Sequence, residues 1–280
     1  MELFLAPTLM GIATFHQDPA IALMITVSTA IFSFCYLAIK KYRLFHPETC
    51  TLTDPLEAEW RSRIVSMMHA IPLSIGSLMC FNEWDALISK HAMNAWHIPK
   101  SNYHLLPGEP HDFWVIRCAS FFLGYLQYDL MWMIFQKKAG QKYDVGMVVH
   151  HVLFIAITHY NLKYFVLAKT FAWLSFCEFS TPFLNMRWFY AVRSLKETKE
   201  YFLWSTMFMI SFIAVRWIGY GLGIIDIWKH KDEWKLAPTG SKFVLAGIHF
   251  AYILNILWGS MVFKSFLKNL RIRKHSSKKE

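Results

Sequence analysis

Residues 144–185 read DVGMVVHHVLFIAITHYNLKYFVLAKTFAWLSFCEFSTPFLN. Two apolar segments, 145–160 and 164–186, follow each other here, each close to the length a helix needs to cross a bilayer. Between the apolar side chains stand His150, His151 and Glu178. Ionisable groups are costly in hydrocarbon, so those within a membrane segment mark a functional site by default. The stretch therefore sets both the fold class and the place to look for chemistry.

The same pattern repeats along the 280 residues, 55% of which are hydrophobic and 17% aromatic. Apolar segments at 20–39, 64–81, 113–135, 145–160, 164–186, 201–226 and 243–263 predict seven transmembrane helices in an all-α polytopic membrane protein. Three regions follow: an N-terminal segment with the first transmembrane anchor (1–50), six further helices (51–265) and a basic tail (266–280). The first residues, MELFLAPTLMGIATFHQDPA, lack a basic leader, so the first span is expected to stay as an anchor.

A net charge of +10 does not point to nucleic acid, because the basic residues lie in short clusters between spans rather than on one face. Those clusters, around 40–63, 137–142, 187–199 and the tail, all fall on one side of the membrane. The bias places the N-terminus outside or in the lumen and the C-terminus in the cytosol. The endoplasmic reticulum or another endomembrane is the expected location, with the plasma membrane left open.

DPLEAEWRSR (54–63) reads as a helix start, with Asp54 as cap, Pro55 in the first helical position and Glu57 completing a capping box. That helix is expected to enter the membrane unbroken. Residues 82–112 read as a membrane-surface loop, and IRKHSSKKE (272–280) as a disordered tail suited to anionic lipid. The five cysteines form no metal-type spacing and no disulfide framework; Cys80 and Cys118 are the one pair the topology brings to the same side.

Depth can be read from the span ends at about 1.5 Å of rise per residue. His69, Asp129, the His150–His151 pair and Glu178 then come from four helices to one level in the cytosolic half. Neighbouring helical residues point about 100° apart, so the two histidines cannot both face inward. His151 shares a face with Met147 and Thr158 and is expected to be the inward one, whereas His150 shares a face with Phe154 and Ile157. Ser175, Glu178, Thr181 and Asn185 form a polar stripe at helical spacing. Pro182 supplies no N–H, so a kink is expected that leaves the Glu178 carbonyl free.

Bland readings compete with these. His69, His249 and Asn255 suit interhelical hydrogen bonds, and Gly219 with Gly223 suits close packing. Arg216 reads either as a counter-ion or as an outward-reaching cation. No metal is expected, because His159 lies too far from the histidine pair. A heptahelical receptor is not expected either, since span three ends YDLMWMIF and span seven lacks an Asn-Pro-x-x-Tyr.

Four pieces, EWRSRIVSMMHA (59–70), YDL (128–130), VGMVVHH (145–151) and EFSTPFLNMRWFY (178–190), together resemble the TLC-domain membrane proteins. The likeness is greatest to the branch outside the ceramide synthases. It implies a six-helix bundle around a lipid-accessible cavity, preceded by one span. In ceramide synthases a histidine pair and following acids act on an acyl-CoA and a long-chain base; His150 and His151 would match that pair. Where those enzymes carry two acids, this chain has Glu178 and then Thr181, so ceramide synthesis is not expected.

The expected function is lipid handling, with acyl transfer from an acyl-CoA or phospholipid donor to a lipid acceptor. His150 or His151 would act as base or nucleophile and Asp129 or Glu178 would orient the ring. His69, Thr158, Thr181, Asn185 and Arg216 would line the substrate site. No bound cofactor is expected, and the partners are membrane lipid or an acyl substrate. The alternative is a non-catalytic regulator of membrane lipid composition, or a chaperone or cargo receptor.

Overall fold

A computed structural model describes residues 18–47, 52–91, 113–135, 145–164, 167–229, 231 and 240–276. Among the described residues every regular element is helical. They are α1 (Pro19–Tyr42), α2 (Asp54–His91), α3 (Trp114–Phe135), α4 (Val145–Tyr164), α5 (Ala168–Ser175), α6 (Thr181–Val192), α7 (Lys199–Phe212), α8 (Tyr220–Lys229) and α9 (Ser241–Ser276). A 3-10 turn, Phe176–Ser180, joins α5 to α6, and a π-helical segment, Ile213–Gly219, joins α7 to α8.

Five stretches are long and apolar enough to cross a membrane: Pro19–Tyr42, Asp54–Phe81, Val145–Tyr164, Lys199–Lys229 and Ser241–Lys268. The two other expected spans correspond to α3 and to the broken α5–α6 unit. Both carry the polar groups of the site, and α3 is buried along most of its length, from Val115 to Tyr128.

Local sequence explains several ends. The Asp18 carboxylate accepts the Ala20 and Ile21 N–H groups at 2.9 and 3.3 Å, capping α1 with Pro19 in its first turn. Arg43 then closes α1 in a left-handed conformation (φ 49°). Thr198 caps α7 through its hydroxyl, which accepts the Tyr201 N–H at 3.2 Å. The unbroken entry of α2 from Asp54 is as expected; its first helical residue is Asp54, one earlier than the cap assignment placed it.

Two expectations about connections change, and a third falls outside the described residues. Residues 82–91 are helix rather than loop, because α2 continues through His91; residues 92–112 lie outside the described residues. The tail is helical through Ser276, since α9 extends past the apolar core of its span, and residues 277–280 lie outside the described residues. The reading of the first residues likewise concerns positions 1–17, outside the described residues.

α1 lies along α3, which also packs on α2 and α4; α2 runs beside α5 and α6, and α9 closes the other side against α4, α7 and the π segment. Lipid offers no hydrophobic drive between helices, so close backbone approach and polar links hold such a bundle. Gly124 shows the first: a Cβ there would sit 2.9 Å from the Ile25 carbonyl oxygen and the Thr29 nitrogen of α1. Thr29 shows the second, its hydroxyl lying 3.2 Å from the Gly124 carbonyl oxygen and 3.3 Å from the Gln127 side-chain oxygen. Gly223 lets Trp173 approach, in keeping with the packing role read from its spacing. No disulfide joins Cys80 to Cys118, so the single bridge that topology allowed is not formed.

Candidate functional site

The polar residues expected at one depth do come together. His151, buried on α4, places Nε2 2.9 Å from Asp129 Oδ2 on α3. Its Nδ1 lies 2.9 Å from the Met147 carbonyl oxygen, one turn earlier on its own helix. A carbonyl only accepts, so Nδ1 carries a proton. Nε2 then either donates to an ionised Asp129 or accepts from a protonated one. In both cases the two nitrogens of His151 are occupied. Ser62 of α2 donates to the other Asp129 oxygen at 3.3 Å, so this pair joins three helices.

A second pair lies beside it. His69 of α2 places Nε2 3.4 Å from Glu178 Oε2, a polar contact without hydrogen-bond geometry. Its ring lies flat on Tyr125 of α3, with centroids 3.4 Å apart. Tyr125 is one turn before Asp129 and so ties the two pairs together. Thr181 donates to Glu178 Oε2 at 2.7 Å, and Arg216 approaches Oε1 at 3.4 Å. Arg216 also donates to Ser180 at 2.9 Å and to the Asn255 side-chain oxygen at 3.3 Å. The open question about Arg216 is thereby answered: it faces inward as the counter-ion of Glu178.

Two irregular segments aim these groups. Glu178 sits in the 3-10 turn ahead of Pro182, where the chain cannot continue as a regular α-helix. The Glu178 carbonyl is not free, contrary to expectation: the Thr181 N–H bonds it in the tighter i,i+3 pattern that a 3-10 turn allows. Arg216 lies within the π segment. Such insertions are rare and gather at functional sites because each turns the following side chains relative to an α-helix.

The remaining expected residues divide. His150 packs its ring against Phe154 (centroids 4.6 Å) and Trp258 of α9 (5.4 Å). Its Nδ1 is buried without a hydrogen-bond partner. Asn185 is engaged by Arg63: its side-chain oxygen accepts from Nη1 at 3.0 Å and its nitrogen donates to the Arg63 carbonyl at 3.2 Å. Thr158 is buried seven residues beyond His151, about 10 Å further along α4. His249 bridges helices as the bland reading had it, with Nε2 accepting from Trp228 at 3.1 Å and Nδ1 2.7 Å from the Leu245 carbonyl oxygen.

Ser62, Tyr125 and Trp258 were not singled out from sequence. Tyr125 stands four residues before Asp129 and Ser62 seven before His69, so both share a helical face with a chosen residue. Trp258 carries no such signal. Among the described residues, no three His, Cys, Asp or Glu side chains gather into a metal-ligating group.

A bundle of apolar helices enclosing two histidine–acid pairs defines a polytopic membrane protein with a buried polar centre. The model of the TLC domain matches residues 59–264, and the chain belongs to that family. A TLC domain-containing protein 4-B from Xenopus laevis is 30% identical over 219 residues, covering 73% of this chain and 74% of the relative. TLC domain-containing protein 4 A from Dictyostelium discoideum is 21% identical over 236 residues, 84% of each chain. TLC domain-containing protein 4-B from Danio rerio is 27% identical over 235 residues, 79% of this chain and 80% of its own. These relatives fit the expectation of a branch outside the ceramide synthases. No solved structure matches.

Proposed function

We propose that this protein handles membrane lipid at the buried polar centre, by acyl transfer from an acyl-CoA or phospholipid donor to a lipid hydroxyl or amine. The supporting observation is the unpartnered Nδ1 of His150, whose ring lies 5.6 Å from that of His151 in the His151–Asp129 pair. Within the histidine pair His151 has no free nitrogen, so His150 is the one suited to act as base, with His151 and Asp129 locking the helix that carries it. His150 takes the acceptor's proton as the acceptor attacks the acyl carbonyl. The bond from the carbonyl to its thiol or alcohol leaving group then breaks, and the proton passes to that group. Arg216 is the cation placed to balance charge developing on the carbonyl oxygen.

In this reading α3 and α5–α6 also cross the bilayer, giving seven crossings with a lumenal or outside N-terminus and a cytosolic C-terminus in an endomembrane. The test is turnover by the full-length protein in lipid nanodiscs across a panel of acyl donors and acceptors. His150→Ala is expected to abolish product and His151→Ala to reduce it. Absence of any donor consumption that His150→Ala removes sinks the catalytic reading.

One observation favours a second reading, in which the cluster braces a non-catalytic lipid-binding regulator. Glu178 has all its close contacts within the protein, to His69, Thr181 and Arg216. Lipid composition of cells lacking the protein separates the two readings. Rescue by the His150→Ala/His151→Ala double variant supports the regulator, and failure of a stable double variant to rescue supports the enzyme.

A further inference from the structure

Apart from the histidine centre, one end of the bundle holds buried donors with no well-formed hydrogen bond to protein, Ser62 standing beside one of them, the Tyr128 hydroxyl. The Tyr36 hydroxyl of α1, the Tyr128 hydroxyl and Trp132 Nε1 of α3, and Arg61 Nε of α2 are all buried without a hydrogen-bond partner. Tyr36 and Tyr128 are each 5% exposed, and their rings stand 6.3 Å apart. The Arg61 guanidinium lies over the Tyr36 ring, 5.5 Å from its centroid. Trp132 follows Tyr128 by one turn on α3. Tyr36, Tyr128 and Arg61 thus lie side by side from three helices, with Trp132 one turn further along α3. Leaving even one buried donor unmet costs about 1–3 kcal/mol, so the arrangement suits a group that only accepts.

Depth narrows the class of ligand. Tyr36 is six residues from the end of α1, Trp132 three from the end of α3 and Arg61 seven from the start of α2. These positions lie roughly 5–10 Å inside the helix ends, at the level of lipid head groups and glycerol rather than of acyl tails. The same end bears Lys40, one turn beyond Tyr36, and Lys41. The nearby acids are already engaged: Glu57 with Arg61 at 2.9 Å, and Asp129 with Ser62 and His151.

We infer that Tyr36, Arg61, Tyr128 and Trp132 form a binding site for the phosphodiester of a membrane glycerophospholipid. Its non-ester oxygens accept from the tyrosine hydroxyls and from Arg61 Nε, the face of the guanidinium that the Glu57 pair leaves unused, with Trp132 one turn along α3 as a further donor. The site does not depend on whether the histidine centre is catalytic.

The test uses the full-length protein in detergent, titrated in native mass spectrometry with phosphatidylglycerol, with diacylglycerol of the same chains, and separately with inorganic phosphate in a thermal-shift assay. Phosphatidylglycerol is expected to be retained over diacylglycerol. Tyr36→Phe and Tyr128→Phe each weaken its retention about tenfold, the scale of one charge-assisted hydrogen bond. Neither lowers the lipid-free melting temperature, because the rings stay and an unmet donor is removed. Trp132→Phe is the second route to the same loss. Equal retention of diacylglycerol, or unchanged phospholipid retention in the Tyr36→Phe/Tyr128→Phe protein, overturns the site, as when water alone meets these donors. Protection by inorganic phosphate equal to that by the lipid overturns the assignment to a lipid head group.

Discussion

Replacing Arg216 by Met removes one charge from a buried centre while keeping most of the side chain's apolar volume. In the folded protein Arg216 is 13% exposed and Glu178 16%, and their charged atoms are 3.4 Å apart. Two magnitudes compete. If the pair behaves as an average interhelical polar link in a membrane, the loss is about 0.6 kcal/mol, because the unfolded chain in the bilayer also finds partners. If it behaves as a buried ion pair broken on one side, the loss is about 3–5 kcal/mol, because Glu178 is left as a buried charge.

The structure favours the larger effect, towards the lower end of that range. Arg216 bridges α7–α8 to Ser180 and Asn255 as well as to Glu178, while Thr181 and His69 still attend the carboxylate after the change. The assay is reversible unfolding of the full-length protein in mixed micelles, comparing wild type, Arg216→Met, Glu178→Gln and the double variant. Arg216→Met is expected to cost about 3 kcal/mol, and adding Glu178→Gln to recover at least half, since neutralising the acid removes its need for a counter-ion. A cost near 0.6 kcal/mol with additive effects in the double variant would falsify the view that Glu178 is held as a charge.

Other consequences are smaller. Asp129→Asn removes the charge facing His151 and weakens the α2–α3–α4 junction, with an expected loss of about 1.5–3 kcal/mol in the same unfolding assay. Gly124→Ala forces a methyl group against the Ile25 carbonyl and Thr29 nitrogen, so α1 must shift from α3 at a cost of about 1–3 kcal/mol, read as a lower melting temperature. Gly219→Ala, whose nearest neighbour would be 3.4 Å away, is its control and leaves that temperature nearly unchanged. Asn185→Ala breaks both links to Arg63 and is expected to cost about 1 kcal/mol without loss of lipid turnover, which separates its bracing role from substrate contact.

Much of this centre was legible in the chain because helical geometry is periodic. Counting from span ends brought His69, Asp129, His151 and Glu178 to one level, and the 100° step distinguished buried His151 from His150. The stripe of Ser175, Glu178, Thr181 and Asn185 does turn towards α2, where Ser77 meets Ser175 at 2.7 Å and Arg63 meets Asn185. What periodicity misjudged were departures from it. The α-helical reading freed a carbonyl at Glu178 that the 3-10 turn satisfies, and it had no means to see the π segment that carries Arg216.

Hydropathy and helical periodicity are local properties, so they are enough to read a helical membrane protein and the ionisable residues its apolar helices hide, and four short motifs carry its resemblance to the TLC family. Only the tertiary structure decided which acid serves which base. Asp129 takes both Ser62 and His151, Glu178 takes Arg216 and His69, and His150 keeps an unmet nitrogen. Partner choice rests on the rotation and close approach of helices distant in the chain, and those are set by packing across the whole bundle.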